Sequence, residues 1–388
     1  MRVGMLTTSY PRLDGDASGA FVRAMARALA ARGHRLEVLA PRPASARAGP
    51  PDDAGVEVTW VDYAPDGLRA TFYGAGVPDN VRSPRAWPGL VSFPYALHRE
   101  AARRVTGWDA LVSHWALPSA LVAGRVRGER PHLAVLHSAD VHLLARVPGR
   151  ATWATRVAAS ASELLFASAE QRARFLDLLP ARTRGAVESR AHASAMGIEA
   201  PQPAGDRRAL RRALGLDRFT VLSLGRLVPI KGVEHAIDAV RGLDGVELVI
   251  AGDGPSRAAL EARGPARFVG AVAGRDKAAL FAAVDAFVVP SAPLASGRTE
   301  GTPTAALEAA RAGLPIVASA LGGLAEVFAH ERSALLVRPR DALGLRRAFV
   351  RLRDDARLRR RLGRAAIAVG RRYEWPVLAP HLEALLGG

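Results

Sequence analysis

Short apolar runs alternate with helical segments in two successive series along this chain, and few folds accept such a pattern. The first series predicts strands at 2–7, 35–40, 56–61, 109–113, 132–136 and 164–168. A helix between the first two runs to Ala31, and Gly33 closes it. The second series opens with a helix at 206–214 and continues with strands at 219–224, 246–251, 286–290, 315–319 and 334–337. Strands separated by helices pair in parallel, so each series implies one doubly wound α/β sheet. The expected fold class is therefore α/β, with two Rossmann-like domains facing across a cleft. Ligands of such sheets bind beyond the carboxyl ends of the strands, and the cleft between two facing sheets is the natural place for one. The segment Ala200-Pro201-Gln202-Pro203 reads as a linker. The expected domains are 1–199 and 200–372, with 373–388 as a helix that returns to brace the first.

A chain of 388 residues, 49% of them apolar, has enough material for two cores. It contains no cysteine, which excludes disulfides and thiolate metal sites. The start, Met1-Arg2-Val3-Gly4-Met5-Leu6, reads as a strand and not as a signal peptide. No uncharged apolar run is long enough to span a bilayer, so a cytoplasmic location is expected, with peripheral contact at an anionic membrane on its inner face. The formal charge is +17, yet only two of 54 basic residues are lysines, Lys231 and Lys277. Eleven arginines fall between Arg346 and Arg372, with leucines interleaved at helical spacing. That segment reads first as a solvated amphipathic helical pair. Attraction to anionic lipid or a phosphate-bearing acceptor comes second. Nucleic acid comes last, because no aromatic platform or binding motif accompanies the charge. The stretch 67–94, with many Gly and Pro residues, reads as a long functional loop.

Near the C-terminal end, Glu300-Gly301-Thr302-Pro303-Thr304-Ala305-Ala306-Leu307-Glu308 places two carboxylates at the start of a predicted helix. Thr302 suits the N-cap and Pro303 the first helical position. Gly301 allows close approach of a ligand to the backbone, and the helix N-terminus favours an anion. Glu308 lies roughly 7.5 Å further along the axis at about 1.5 Å per residue. A carboxylate at the mouth and one deeper suit a polyhydroxylated ligand attached to phosphate. Taken alone, the segment reads equally as a capped surface helix. After strand 219–224 comes Gly225-Arg226-Leu227-Val228-Pro229-Ile230-Lys231-Gly232, whose two cations suit a pyrophosphate. Lys231 stands out because arginine is the default base here. Gly252-Asp253-Gly254-Pro255 and Gly322-Gly323 are further glycine-rich turns at predicted strand ends, with tight turning as their simpler explanation.

In the first series, Ser113-His114-Trp115-Ala116-Leu117-Pro118 and His137-Ser138-Ala139-Asp140-Val141 both follow strands. A histidine with an aspartate three residues on can polarise a hydroxyl or stabilise developing charge, although lone histidines are more often structural. Asp14-Gly15-Asp16 reads as turn chemistry and not as a metal site.

Together these segments resemble glycosyltransferase family 4 of the GT-B fold. The matching pieces, in the family's order, are Arg32-Gly33-His34, His137-Ser138-Ala139-Asp140, Met196-Gly197-Ile198, Gly225-Arg226 through Lys231-Gly232, Gly252-Asp253-Gly254-Pro255, Pro290-Ser291, and the Glu300…Glu308 pair with Gly322-Gly323. Tyr73-Gly74-Ala75-Gly76-Val77-Pro78 and His114-Trp115-Ala116-Leu117-Pro118 look like pieces of bacterial members making surface polysaccharide. The resemblance implies retaining transfer of a sugar from a nucleotide diphosphate donor to a sugar or lipid-linked acceptor. It also implies that no metal or other cofactor is required. It implies that Arg226 and Lys231 neutralise the pyrophosphate, Glu308 holds the ribose, and Glu300 with Gly301 and Thr302 binds the donor sugar. Gly225, Gly252, Gly254 and Pro303 then belong to the donor site. His137 would sit at the reacting carbon, and Ser18, Gly19, His114 and Asp140 on the acceptor or diphosphate side. The chain departs from the family pattern at Ser18-Gly19, where Gly-Gly is usual, at Thr302, where Phe is common, and at Glu199, where Asp is common. A nucleotide-sugar epimerase of the same architecture and a non-catalytic nucleotide-sugar-binding protein are the competing expectations. A nicotinamide dehydrogenase falls behind both, because the first βα loop lacks a Gly-x-Gly-x-x-Gly turn.

Overall fold

The computed structural model describes residues 1–44, 49–73, 80, 83–200, 202 and 205–387. The motif piece at 74–78 and Pro201 and Pro203 of the linker lie outside these. The chain divides into two compact units, Met1–Gly197 together with Trp375–Gly388, and Ile198–Glu374.

The first unit is built on seven strands: β1 (Arg2–Leu6), β2 (Arg35–Pro41), β3 (Val56–Val61), β4 (Ala110–His114), β5 (His132–Leu136), β6 (Glu163–Phe166) and β7 (Ala191–Ala193). They form one sheet in the order β3-β2-β1-β4-β5-β6-β7. Every pairing is parallel, with Val3 beside Leu36 on one side and Ala110 on the other. Parallel strands in the middle of a sheet are covered on both faces, which is why they read as short unbroken apolar runs. On one face, Val3, Met5 and Val38 pack with Val22 and Leu29 of helix α1 (Ala20–Ala30). On the other, Leu6, Leu39 and Leu111 pack with Phe93 and Leu97 of helix α2 (Trp87–Arg104), and helix α3 (Ser138–Leu144) follows β5.

Helix α2 corrects the expected long loop at 67–94. Pro88 sits in its first turn, where a missing N–H costs nothing. Phe93, Leu97 and Ala101 then recur at helical spacing and are all buried. That burial outweighs the hydrogen bond lost at Pro94 within the helix.

The second unit carries β8 (Phe219–Leu224), β9 (Val246–Ala251), β10 (Arg267–Gly270), β11 (Ala286–Val289), β12 (Ile316–Ser319) and β13 (Ala334–Val337). Their order, β10-β9-β8-β11-β12-β13, repeats that of the first six strands of the first unit. In each sheet the strand order reverses once, between β1 and β4 and between β8 and β11. Such reversals open a crevice at the strand ends where ligands settle.

Five helices matter in this unit: α4 (Val233–Val240), α5 (Gly274–Ala283), α6 (Thr304–Arg311), α7 (Ala342–Asp354) and α8 (Ala356–Arg371). Ile237 of α4, Phe349 and Leu352 of α7 and Leu362 of α8 join Val221 and Leu248 in one core. Several arginines of α7 and α8 are engaged within the unit. Arg346 bonds the carbonyls of Arg241 and Gly242, Arg351 pairs with Glu331, and Arg361 reaches the Glu331 carbonyl. Chain entry and exit of the unit are tied together, since the Ile198 N–H donates to the Tyr373 carbonyl at 2.8 Å. Helix α9 (Trp375–Leu385) then packs in the first unit's core.

Candidate functional site

In the second unit the predicted residues gather at the reversal between β8 and β11. Gly225 and Arg226 leave the end of β8, and Lys231 closes a 3-10 turn, Pro229–Lys231, just before α4. These three, with Pro290 after β11 and Pro303 before α6, line one pocket. The Lys231 ammonium pairs with the Glu300 carboxylate. The buried Ser291 hydroxyl donates to the second Glu300 oxygen at 2.6 Å. Glu300 is thereby fixed by a cation and a hydroxyl from two different strand ends.

Glu308 lies on α6 and accepts from Lys277 of α5, with Nζ 3.0 Å from each carboxylate oxygen. The only two lysines of the chain thus take the two glutamates of the motif, one each. All four side chains are half-buried, so solvent screens these pairs less than it would at an open surface.

Pro303, and not Thr302, caps α6. Its φ of −60° and ψ of 126° place it outside the helix, which begins at Thr304. The Thr302 hydroxyl is instead buried against Gly323, where a Cβ would come within 2.2 Å of it, and it has no hydrogen-bond partner among the described residues. Gly252 has a φ of 143°, and a Cβ there would fall 1.9 Å from the Gly225 carbonyl oxygen. The turns at Gly252 and Gly254 therefore seat the backbone beneath Gly225 and Leu227. That packing alone accounts for their glycines.

In the first unit a second cluster forms at the reversal between β1 and β4. His114 ends β4, and His137 precedes helix Ser138–Leu144 after β5. Their rings stack at 8° with Nδ1 of His114 3.2 Å from Nε2 of His137. The ring of Phe21, on the first turn of α1, lies 4.7 Å from that of His137, and the Trp115 ring 4.6 Å from it. Burial pushes His137 down to about 3 and His114 well below the ordinary imidazole range. Both rings are thus neutral hydrogen-bonding groups at neutral pH. Nε2 of His114 and Nε1 of Trp115 are buried with no partner among the described residues.

Asp140 makes no hydrogen bond to the His137 ring among the described residues. Its carboxylate accepts from the Ala116 N–H at 2.8 Å and from the Val141 N–H at 2.8 Å, which ties β4's exit loop to the helix after β5. Burial raises it to about 7 against those bonds. Gly19 caps α1 with a φ of 71°, which sets Phe21 two residues on against the histidines. The Ser18 N–H donates to Asp16 at 3.0 Å. Asp16 also pairs with Arg12 and Asp14 with Arg23, so both carboxylates of Asp14-Gly15-Asp16 serve the turn.

Lys277 and Phe21 had no assigned part in the sequence reading, and Trp115 and Ser291 appeared only within motifs. The scarcity of lysine that singled out Lys231 applies equally to Lys277. The aromatic contacts depend on tertiary packing and leave no sequence signal.

Comparison with known proteins supplies the family. Residues 218–355 match the family model described as glycosyl transferases group 1. A D-inositol 3-phosphate glycosyltransferase of Xylanimonas cellulosilytica is 31% identical, over 96% of this chain and 93% of the relative. A GDP-mannose-dependent alpha-(1-6)-phosphatidylinositol monomannoside mannosyltransferase of Mycobacterium tuberculosis is 28% identical, over 100% of this chain and 98% of the relative. Sucrose-phosphate synthase from Thermosynechococcus elongatus shares the GT-B fold, with a TM-score of 0.75 at 22% identity over 99% of this chain and 98% of that one. Two sheets reversing at equivalent places, a cation-and-carboxylate site at one reversal, and this similarity along the whole length lead to one conclusion: the chain is a GT-B glycosyltransferase and belongs to the group 1, family 4 glycosyltransferases.

Proposed function

We propose that the chain transfers a sugar, with retention of configuration, from a nucleotide diphosphate sugar to a hydroxyl of a sugar or lipid-linked acceptor. The observation that carries this reading is the pairing of Lys231 with Glu300 beside Arg226 and Gly225, at the strand reversal of the second unit. Arg226 and Lys231 neutralise the pyrophosphate, as preorganised charge does in other transfer reactions. Glu300, with Gly301 and Thr302, receives donor-sugar hydroxyls, and Glu308 receives the ribose. His137, His114, Asp140, Ser18 and Gly19 belong to the sugar and acceptor side. The anomeric carbon–oxygen bond to phosphate breaks as the acceptor oxygen attacks the same face. The acceptor proton passes to the departing phosphate oxygen. This division of labour calls on no metal and no protein base.

The two relatives described above act, by their names, on an inositol phosphate and on a phosphatidylinositol mannoside. They support a role in glycolipid or polysaccharide-type synthesis, which we place at the inner face of a membrane. Among the described residues no helix is long and apolar enough to cross one. Contact with anionic lipid is proposed to be peripheral.

The test is thermal shift against UDP-, GDP- and ADP-sugars with bare nucleotides as controls, since a ligand that binds only the folded state raises the midpoint. One selective response is expected. Glu308→Ala should then weaken donor binding roughly tenfold or more, as loss of a charged hydrogen-bond partner does. Lys231→Ala should mainly reduce turnover. A flat panel with folded protein, or both variants equal to wild type, would overturn the reading.

A further inference from the structure

We infer that Lys277 is a positioning residue of the donor site, holding the Glu308 carboxylate in the orientation that receives two neighbouring ribose hydroxyls. The inference rests on the proposed function and adds to it a residue outside the Glu300…Glu308 motif.

Composition is the first observation. Basic positions in this chain are arginine except at 231 and 277, and both lysines face the motif's carboxylates. Geometry is the second. Nζ of Lys277 is equidistant from Oε1 and Oε2 of Glu308, 3.0 Å from each. An ammonium has three N–H donors and no fixed plane. Two donors serve the carboxylate here, and the third has no partner among the described residues. A carboxylate has about four lone-pair sites, and Lys277 takes one on each oxygen. One acceptor site per oxygen remains, which matches the two donors of a vicinal diol.

Placement is the third. Lys277 belongs to α5 and Glu308 to α6, and 31 positions separate them in the chain. Their pairing cannot be a local helix contact. It spans two helices and selects one rotamer for Glu308, whose neighbours Leu307 and Ala309 are fully buried. A half-buried carboxylate without its cation would turn towards water and lose the alignment a diol needs.

The experiment measures affinity of the full-length protein for uridine, guanosine and adenosine 5′-diphosphates, and for the 2′,3′-dideoxy form of whichever binds. The same titrations are run on Lys277→Met and Lys277→Arg. Wild type is expected to prefer the ribonucleotide. Lys277→Met should lower that affinity about tenfold, leave the dideoxy affinity unchanged, and keep the unliganded melting midpoint close to wild type. Lys277→Arg should recover part of the loss. Equal losses for both ligands would make Lys277 a general electrostatic or structural group and overturn the inference. Unchanged affinity would reduce the pair to a surface contact, and increased affinity would make Lys277 a competitor for the ribose place. Each of those outcomes leaves the proposed function standing. A wild-type protein that binds none of the three nucleotides overturns both.

Discussion

Three buried histidines of the first unit set its response to acid. His114 and His137 stack on each other, and His132 is held between the Ser113 hydroxyl at 2.8 Å and the Ser160 carbonyl at 2.7 Å. Burial depresses all three, His132 to about 4 and His137 to about 3. Below pH 6.5 the unfolded chain therefore binds protons that the folded one refuses. Stability is full above that pH and is lost as pH falls, by about 1.4 kcal/mol per pH unit for each histidine. Asp140 works in the opposite sense. Its folded value near 7 means the folded state binds the extra proton between the ordinary carboxylate range and pH 7, which offsets about one histidine. The melting midpoint should fall steadily from pH 7 to pH 5, and a flat or rising profile would contradict the assignment. The aspartate also marks the limit of residue spacing as evidence. His137 and Asp140 stand three apart in sequence, yet the carboxylate turns to backbone N–H groups that burial would otherwise leave exposed to the core. The motif residues of the proposed donor site could be singled out because their chemistry is carried by residue type at strand ends. The lysine–glutamate pairing over 31 positions was not, because only the fold brings α5 beside α6.

Among the elements, α2 presents two different apolar faces. Its inward face covers the sheet, while Trp87, Val91 and Tyr95, four residues apart, are 58%, 79% and 71% exposed. Exposed Arg85 precedes this stripe, and Arg99 and Arg103 follow it. Aromatic and branched side chains bordered by arginine suit the boundary of an anionic bilayer. The protein should co-sediment with vesicles containing phosphatidylglycerol more than with neutral ones, and Val91→Glu with Tyr95→Glu should reduce this several-fold without changing the fold. Equal sedimentation of the variant would remove α2 as the contact. The Arg-rich pair α7 and α8 is the weaker candidate, since among the described residues Leu343 is the one large apolar side chain it exposes and several of its arginines bond carbonyls and carboxylates of their own unit. Sequence showed the central strands because burial on both faces leaves unbroken apolar runs. It did not show β7 and β10, which are edge strands of three and four residues with partly exposed side chains. Nor did it show α2, whose prolines and Gly89 speak for a loop until Phe93 and Leu97 are seen in the core.

At the scale of the whole molecule, the alternation of strands and helices made two parallel sheets legible, but not the strand order they share, since parallel pairing is compatible with many orders. What alternation alone does not reveal is that the first unit draws on both ends of the chain. Trp375, Ala379, Leu382 and Leu386 are buried in one cluster with Val3, Met5 and Val22. Arg32 and His34 hold Glu383 at 2.6 and 2.7 Å on the same helix. Burying each large apolar side chain contributes about 1.5–3 kcal/mol, against a total stability of roughly 5–15 kcal/mol for a domain. Removing residues 375–388 should therefore lower the first melting transition sharply and raise binding of a hydrophobic dye, and an unchanged melt would show that α9 is dispensable. The order of synthesis gives this a further meaning. Residues 1–197 leave the ribosome before residues 198–374, and the side chains that close their core follow only after both. The first-made half must wait, with an apolar face open, while the entire second unit is produced. Its exposure to misassembly and its reliance on holding chaperones should be set by the time taken to translate the other half.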